Sequence, residues 1–227
     1  MGCTSRHLLV LARLPTGKLR SRFHRSLLAA GHCYGPLDPV SNIIVNTIWY
    51  DAAFPPTVKL EMDTIGTFSL HRTENCSLYG MVSFLCTRYH HVDFHQAMRG
   101  LLNADGYLFK ADVTLNMDLD PYINNTMSTP AFFAAPHTGM EEAFFAAATA
   151  ACHPKPEAQA KFLFQCSNVP MLRNASIVLK GDGQLSSQDV QCLAKLLCQT
   201  EAACSELPLP SFRRTWNPCT SSRLYVV

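Results

Sequence analysis

Residues 31–56 read GHCYGPLDPVSNIIVNTIWYDAAFPP, from Gly31 to Pro56, and this stretch decides the fold class. Asp38 stands immediately before Pro39. A carboxylate there can accept from the free amides of a first helical turn, and proline at the first helical position gives up no bond the helix needs. The negative charge also suits the positive end of a helix. From Pro39 onward, Val40, Ile43, Ile44, Thr47 and Ile48 fall on one face at helical spacing. Asn42, Asn46 and Tyr50 lie off that stripe, so the two amides read as helix-surface groups. Pro55 and Pro56 stop the helix, and Phe54 before them is pushed toward extended backbone. The spacing predicts a helix over about 39–53. Gly31 and Gly35 bracket His32, Cys33 and Tyr34 in a tight connection, where glycine tolerates positive φ.

Upstream, Leu19, Phe23 and Leu27 recur every fourth residue and predict a shorter helix that ends at Gly31. Downstream, residues 56–72 read as a connector, with an extended piece at Thr57 to Leu60. Leu78, Met81, Val82, Leu85, Cys86 and Tyr89 then form a broad helical stripe, its start capped by Thr73 or Asn75. Asp93 caps a further helix carrying Phe94, Ala97, Met98, Leu101 and Leu102, which Asn103 to Gly106 end or kink. Residues 112–136 are polar and proline-spotted and read as a loop or linker. Thr138-Gly139-Met140-Glu141 has a capping-box pattern opening an Ala/Phe-rich helix to about Cys152. Pro154 and Pro156 end that helix and start another, Glu157 to Gln165, which Ser167 to Pro170 break. Ser176 to Lys180 is β-branched enough for a short strand or a buried turn, and Gly181-Asp182-Gly183 is turn chemistry. Ser186 with Asp189 caps a last helix with Val190, Leu193, Ala194 and Leu197 on its inner face. The expected organisation is a flexible basic arm (1–18), a helical domain (19–111), a linker (112–136), a C-terminal helical region (137–205) and an irregular tail (206–227).

The run Leu28-Ala29-Ala30-Gly31-His32-Cys33-Tyr34-Gly35, then Asp38, Ser41-Asn42-Ile43-Ile44 and Asn46-Thr47, resembles the PIR-like helical domain of plants. Met81 to Leu85 and Met98 to Ala111 extend the resemblance, which covers roughly residues 20–150 and is most specific over 27–56. That domain occurs in plant RING-finger ubiquitin ligases and in uncharacterised grass proteins. The resemblance implies a helical, protein-binding unit without catalytic activity of its own, and helix as far as about Ala111. This chain has no paired Cys-x-x-Cys knuckles, so no RING and no ligase activity are carried over. The fold class expected is mainly α, an irregular or orthogonal bundle of six or seven helices, with at most one short strand pair near the C-terminus.

With 48% hydrophobic residues the chain can bury a core, and its 16% charged content lies below the ~25% of ordinary soluble domains, which favours contact with partners. The net charge of +2 carries no argument for nucleic acid. Charge is unevenly spread. Arg6, Arg13, Lys18, Arg20, Arg22 and Arg25 precede the first acid, Asp38, leaving 13 basic against 17 acidic residues afterwards. The basic start reads as a flexible arm or, alternatively, as an organelle transit peptide. No secretory leader fits, because Leu8 to Ala12 is too short an apolar run. No membrane span is expected. The ten cysteines then read as reduced thiols inside a cell, in cytoplasm or nucleus. The glycosylation patterns at Asn75, Asn124 and Asn174 read as chance matches.

Candidate chemistry is sparse. His91 and His95 have the i, i+4 spacing of metal ligands, with His90 beside them, but Asp93 begins a new helix between them and no glutamate base accompanies them. His32 and Cys33 invite a thiol-nucleophile reading, yet adjacent side chains rarely aim at one another and no orienting third group is evident. Trp49, Tyr50 and Phe54 read as core or as the edge of an apolar groove, with no interleaved Arg or Lys for stacking nucleic acid. No catalytic, metal or cofactor residue is assigned. The expectation is a non-enzymatic interaction module with an unidentified protein partner, the alternative an enzyme or metal-binding protein built on His90, His91 and His95 or on Cys33.

Overall fold

The structure, a computed structural model, describes residues 3–15, 18–57, 65–119, 139–168, 171–179 and 183–202. Among these residues it forms ten α-helices and no strand. At the centre lies α3 (Pro39–Ala53), where the Asp38-Pro39 signal places it. The Asp38 carboxylate accepts from the amides of Val40 and Ser41, each at 3.1 Å. Every residue from Ser41 to Asp51 is buried, so both faces of α3 are walled. The walls are α1 (Cys3–Arg13), α2 (Lys18–Ala30) and α10 (Ser187–Ala202). Trp49 of α3 also stacks on Phe162 of α8 (Pro156–Asn168), with ring centroids 4.4 Å apart.

Beside this layer, α4 (Thr67–Arg88) packs along α7 (Met140–Ala150), and α7 in turn on α8. Gly80 permits the approach of α4: a Cβ there would sit 2.8 Å from the Tyr34 ring and 3.0 Å from the Ala147 carbonyl oxygen. The helix α5 (Phe94–Asn103) packs on α4 and on α6 (Leu108–Leu119), and α9 (Met171–Leu179) touches α8 and α10. Asp93 caps α5 in a full capping box with Gln96. Ser186 and Asp189 exchange bonds of 2.7 to 3.1 Å at the start of α10, as their spacing predicts.

Several expectations are corrected. Residues 3–13, read as part of a flexible arm, form α1. His7, Val10, Leu11 and Leu14 are buried at helical spacing, and one polar member hid the stripe. The arginines of this region are used internally: Arg6 donates to the Asp105 carbonyl at 2.6 Å, Arg13 to that of Leu179 at 2.8 Å, and Arg22 to the Asp51 carboxylate at 2.6 Å. The helix read from a Thr73 or Asn75 cap begins six or more residues earlier, at Thr67. Its first turns bury only Leu70 and leave Phe68 almost wholly exposed, so they carry no stripe. Residues 103–107 end one helix, with positive φ at Asp105 and Gly106, and a new one follows. That new helix continues to Leu119, into the span read as linker; residues 120–136 lie outside the described ones. Of the strand read at Ser176–Lys180, residues 176–179 are the end of α9, and Lys180 lies outside the described residues. Ala175 and Leu179 are buried at i, i+4, and a short apolar run does not distinguish the two periods. Gly139 caps α7 with φ 78 and no side-chain bond; Thr138, Gly181, Asp182 and the 206–227 tail lie outside the described residues.

Asp112 explains why the linker was read too early. It is buried on α6 and faces Arg88 of α4, also buried, at 2.7 Å. Burial raises its pKa, the Arg88 charge opposing that shift without cancelling it. A raised carboxyl pKa contributes stability at low pH that is lost as pH rises through the folded value, so this pair does not protect against alkali. Removing only one partner strands the other charge. Arg88→Met is expected to lower unfolding free energy in urea by about 3 kcal/mol, and Arg88→Met with Asp112→Leu to recover most of it. Equal losses in the single and double variants would contradict the pairing.

Candidate functional site

The turn singled out by the sequence is a buried clamp. Asn42 donates through Nδ2 to the carbonyls of Cys33 at 3.1 Å and Leu37 at 2.8 Å, and its Oδ1 accepts from Leu37 N–H at 3.0 Å. One turn later Asn46 donates to the carbonyls of His32 at 2.8 Å and Tyr34 at 3.1 Å. These amides, read from the sequence as surface groups, are buried. They supply the hydrogen bonds that a turn inside the core cannot draw from water. Gly35 completes the fit, because it has φ +149 and a Cβ would lie 2.6 Å from Asn42 Oδ1.

Around the clamp is an aromatic and polar knot. His32 stacks on Tyr34, whose hydroxyl donates to Gln159 at 2.6 Å, and His153 lies edge-on to His32 with ring centroids 5.9 Å apart. Burial lowers the His32 pKa to about 3, with His153 and His7 adding to the shift. Burial lowers that of His153 to about 4. Both rings are neutral at physiological pH. Cys33 is fully buried, with its sulfur 3.9 Å from that of Met81, and its backbone N–H donates to Ser77 Oγ at 3.2 Å. Ser77 Oγ also lies 3.4 Å from His32 Nδ1. The adjacent His32 and Cys33 thus each meet Ser77, the thiol without access to substrate. His90, His91 and His95 are exposed on either side of the Asp93 cap, and their rings are not gathered: His91 faces Tyr89 and His95 faces Phe94. Among the described residues no group of three His, Cys, Asp or Glu side chains could hold a metal ion.

A different feature faces solvent. Between α4 and α5, Leu78, Met81, Met98, Leu101 and Leu102 line a groove of about 260 Å³. Its rim carries Arg6, Glu74 and Asp105. On α5, Phe94, Met98 and Leu102 repeat at i, i+4 and i+8. Phe94 is 50% exposed and Leu102 74%. Met98 is half-buried against the core, whereas Phe94 and Leu102 at either end extend the apolar row into solvent, on a helix packed by its Ala97, Gly100 and Leu101 face. Methionines suit such a surface because the unbranched thioether adapts to different partners. The sequence contained this row, but it was read as core, since periodicity alone does not say which stripe turns inward. A larger open cleft of about 530 Å³ between α7 and α8 is bordered by Glu141, Glu142, Glu157 and Lys161 and reads as a solvated charged face.

Among the described residues no helix is long and apolar enough to cross a membrane. No curated protein and no solved structure matches the chain. The clamp, most of α1, α2 to α5 and most of α6 lie within residues 7–117, and that segment is matched by the family model described as PIR2-like, helical domain.

Proposed function

We propose that this chain is a non-enzymatic interaction module that receives an amphipathic helix of a protein partner in the α4–α5 groove. The observation that carries the reading is the exposure of Phe94 and Leu102 at either end of the half-buried Met98, beside the Leu78 edge of the groove. Helix-in-groove recognition uses apolar anchors at i, i+3 or i+4, and i+7, and the spacing of this row matches such a ladder. The rim is polar: the Arg6 guanidinium donates to the Asp105 carbonyl at 2.6 Å and lies 3.4 Å from the Asp105 carboxylate, which is itself 85% exposed. The resemblance to segments of plant RING-finger ligases supports an adaptor role beside such enzymes. Buried cysteines outside any disulfide, such as Cys166, support a place inside the cell.

Because Leu102 is largely exposed, Leu102→Asp leaves the core intact, unlike a charge placed at the fully buried Ile43. Proximity labelling in cells with Leu102→Asp is expected to reduce recovery of the specific partner set at least ~10-fold, since a hot-spot anchor is worth roughly 2 kcal/mol or more. Ile177→Asp, on the exposed face of α9, is expected to leave recovery unchanged. Both variants should melt as the parent does. Full recovery with Leu102→Asp would remove the groove from the account.

A further inference from the structure

The thiols of Cys76 and Cys152 line one cavity of about 300 Å³, together with Arg72, Thr73, Pro154 and His32. Cys76 lies on α4, and Cys152 in the turn between α7 and α8. Cys152 and Arg72, the latter one helical turn before Cys76, share this cavity with the Cys76 thiol and both act on its ionisation. Cys152 is exposed and Cys76 partly so. The backbone at Cys152 is unusual. Its φ is 54, in the left-handed region where a helix ordinarily ends on glycine or asparagine. The surrounding bonds hold it there: Cys152 N–H donates to Thr149 O at 3.0 Å and His153 N–H to Ala148 O at 2.9 Å. A residue held in a disfavoured conformation, facing a second thiol and a guanidinium across a solvent-reached cavity, is a site in search of a reaction.

We propose that Cys76 and Cys152 form an oxidation-sensitive pair, which a hydroperoxide converts to a disulfide that ties α4 to the α7–α8 turn. In the first step the exposed Cys152 thiolate attacks the hydroperoxide. Its sulfur takes the distal oxygen as the O–O bond breaks, giving Cys152 sulfenic acid, and an alcohol (or water, from hydrogen peroxide) leaves with a proton. In the second step the Cys76 thiolate attacks the Cys152 sulfur. The S–S bond forms and the sulfenic oxygen departs as water, taking up the proton Cys76 released. Arg72 favours the thiolate of Cys76, while burial and the neighbouring Cys152 hold its pKa above the ordinary value. The second step therefore quickens as pH rises. The bond would join the matched 7–117 segment to the helices that follow it, across a loop of 76 residues (152 − 76). Such a bond within a reducing compartment would be transient and signalling in character.

The test uses the full chain, reduced and then exposed to hydrogen peroxide, blocked with N-ethylmaleimide and mapped as peptides without reduction. A Cys76–Cys152 peptide is expected to appear before any pair containing the exposed Cys192. The oxidised protein is expected to melt roughly 5 °C or more above the reduced one, reversibly with dithiothreitol. In Cys76→Ser, Cys152 should stop at sulfenic acid, trapped by dimedone, and the melting shift should vanish. Cys152→Ser, altered at an exposed position, should fold and show neither product. Formation of other pairs at equal rate, or accumulation of Cys152 sulfinic acid in the parent without the linked peptide, would overturn the proposal.

Discussion

Between pH 6.5 and 4 the fold is expected to lose roughly 5 kcal/mol of stability, because His32 and His153 are held neutral inside it. Both begin from an ordinary value of 6.5, and burial is the first cause of each shift, to about 3 and about 4 respectively. The sign follows from where the protons go. A depressed folded pKa contributes stability that is fully present above 6.5. As pH falls below 6.5 the unfolded chain binds protons that the folded chain refuses, and the contribution disappears through the folded values. For a protein of this size, with the usual 5–15 kcal/mol in total, that loss approaches the whole margin. Urea titrations at pH 7, 6, 5 and 4 should show the midpoint dropping steeply. The slope of unfolding free energy against pH should approach two protons at its steepest. His153→Gln should lower that slope by about one proton, whatever it does to stability at pH 7. A midpoint flat from pH 7 to 4 would show that these imidazoles are solvated in the folded chain.

The second large effect is expected at Asn42. Replacing it with leucine keeps the bulk but strips the carbonyls of Cys33 and Leu37, and the Leu37 amide, of their partner. Each buried polar group left unmatched costs about 1–3 kcal/mol, so the variant should lose about 4 kcal/mol or more. At roughly 2–4 °C per kcal/mol for a chain of this length, the melting temperature should fall by roughly 8–16 °C. Gly35→Ala should act in the same direction through the same contact, since its new methyl would meet Asn42 Oδ1. Differential scanning calorimetry reads both. A drop of only ~1 °C for Asn42→Leu would mean that the turn is held by other means.

These residues also mark where the sequence was legible. Asp38-Pro39, Asp93, and Ser186 with Asp189 act within one helical turn, and local chemistry placed their helices correctly. The apolar stripes did the same for α4 beyond its first turns. What local chemistry did not reveal was burial of polar groups. Asn42, Asn46, His7 and Asp112 are all inside, each bonded to a group distant in sequence or in a neighbouring turn. Read alone, each suggests surface, and so the arm, the linker and the amides were misplaced outward. The groove had the opposite fate. Phe94 and Leu102 look like core residues in one dimension, and only the packing of α5 by its other face turns them outward. The fold class followed from the sequence, whereas the candidate site required knowing which of two apolar stripes was already covered.

The enclosure of α3 has a bearing on how the chain is made. Its apolar surface emerges from the ribosome early, while one of its walls, α10, is encoded more than a hundred residues later. Until translation delivers that wall, Ile48 and its neighbours stand open beside Val190 and Ala194's future places. Nascent chains arrested before α10 should therefore draw on chaperones that shield greasy segments, and released full-length chains should escape them.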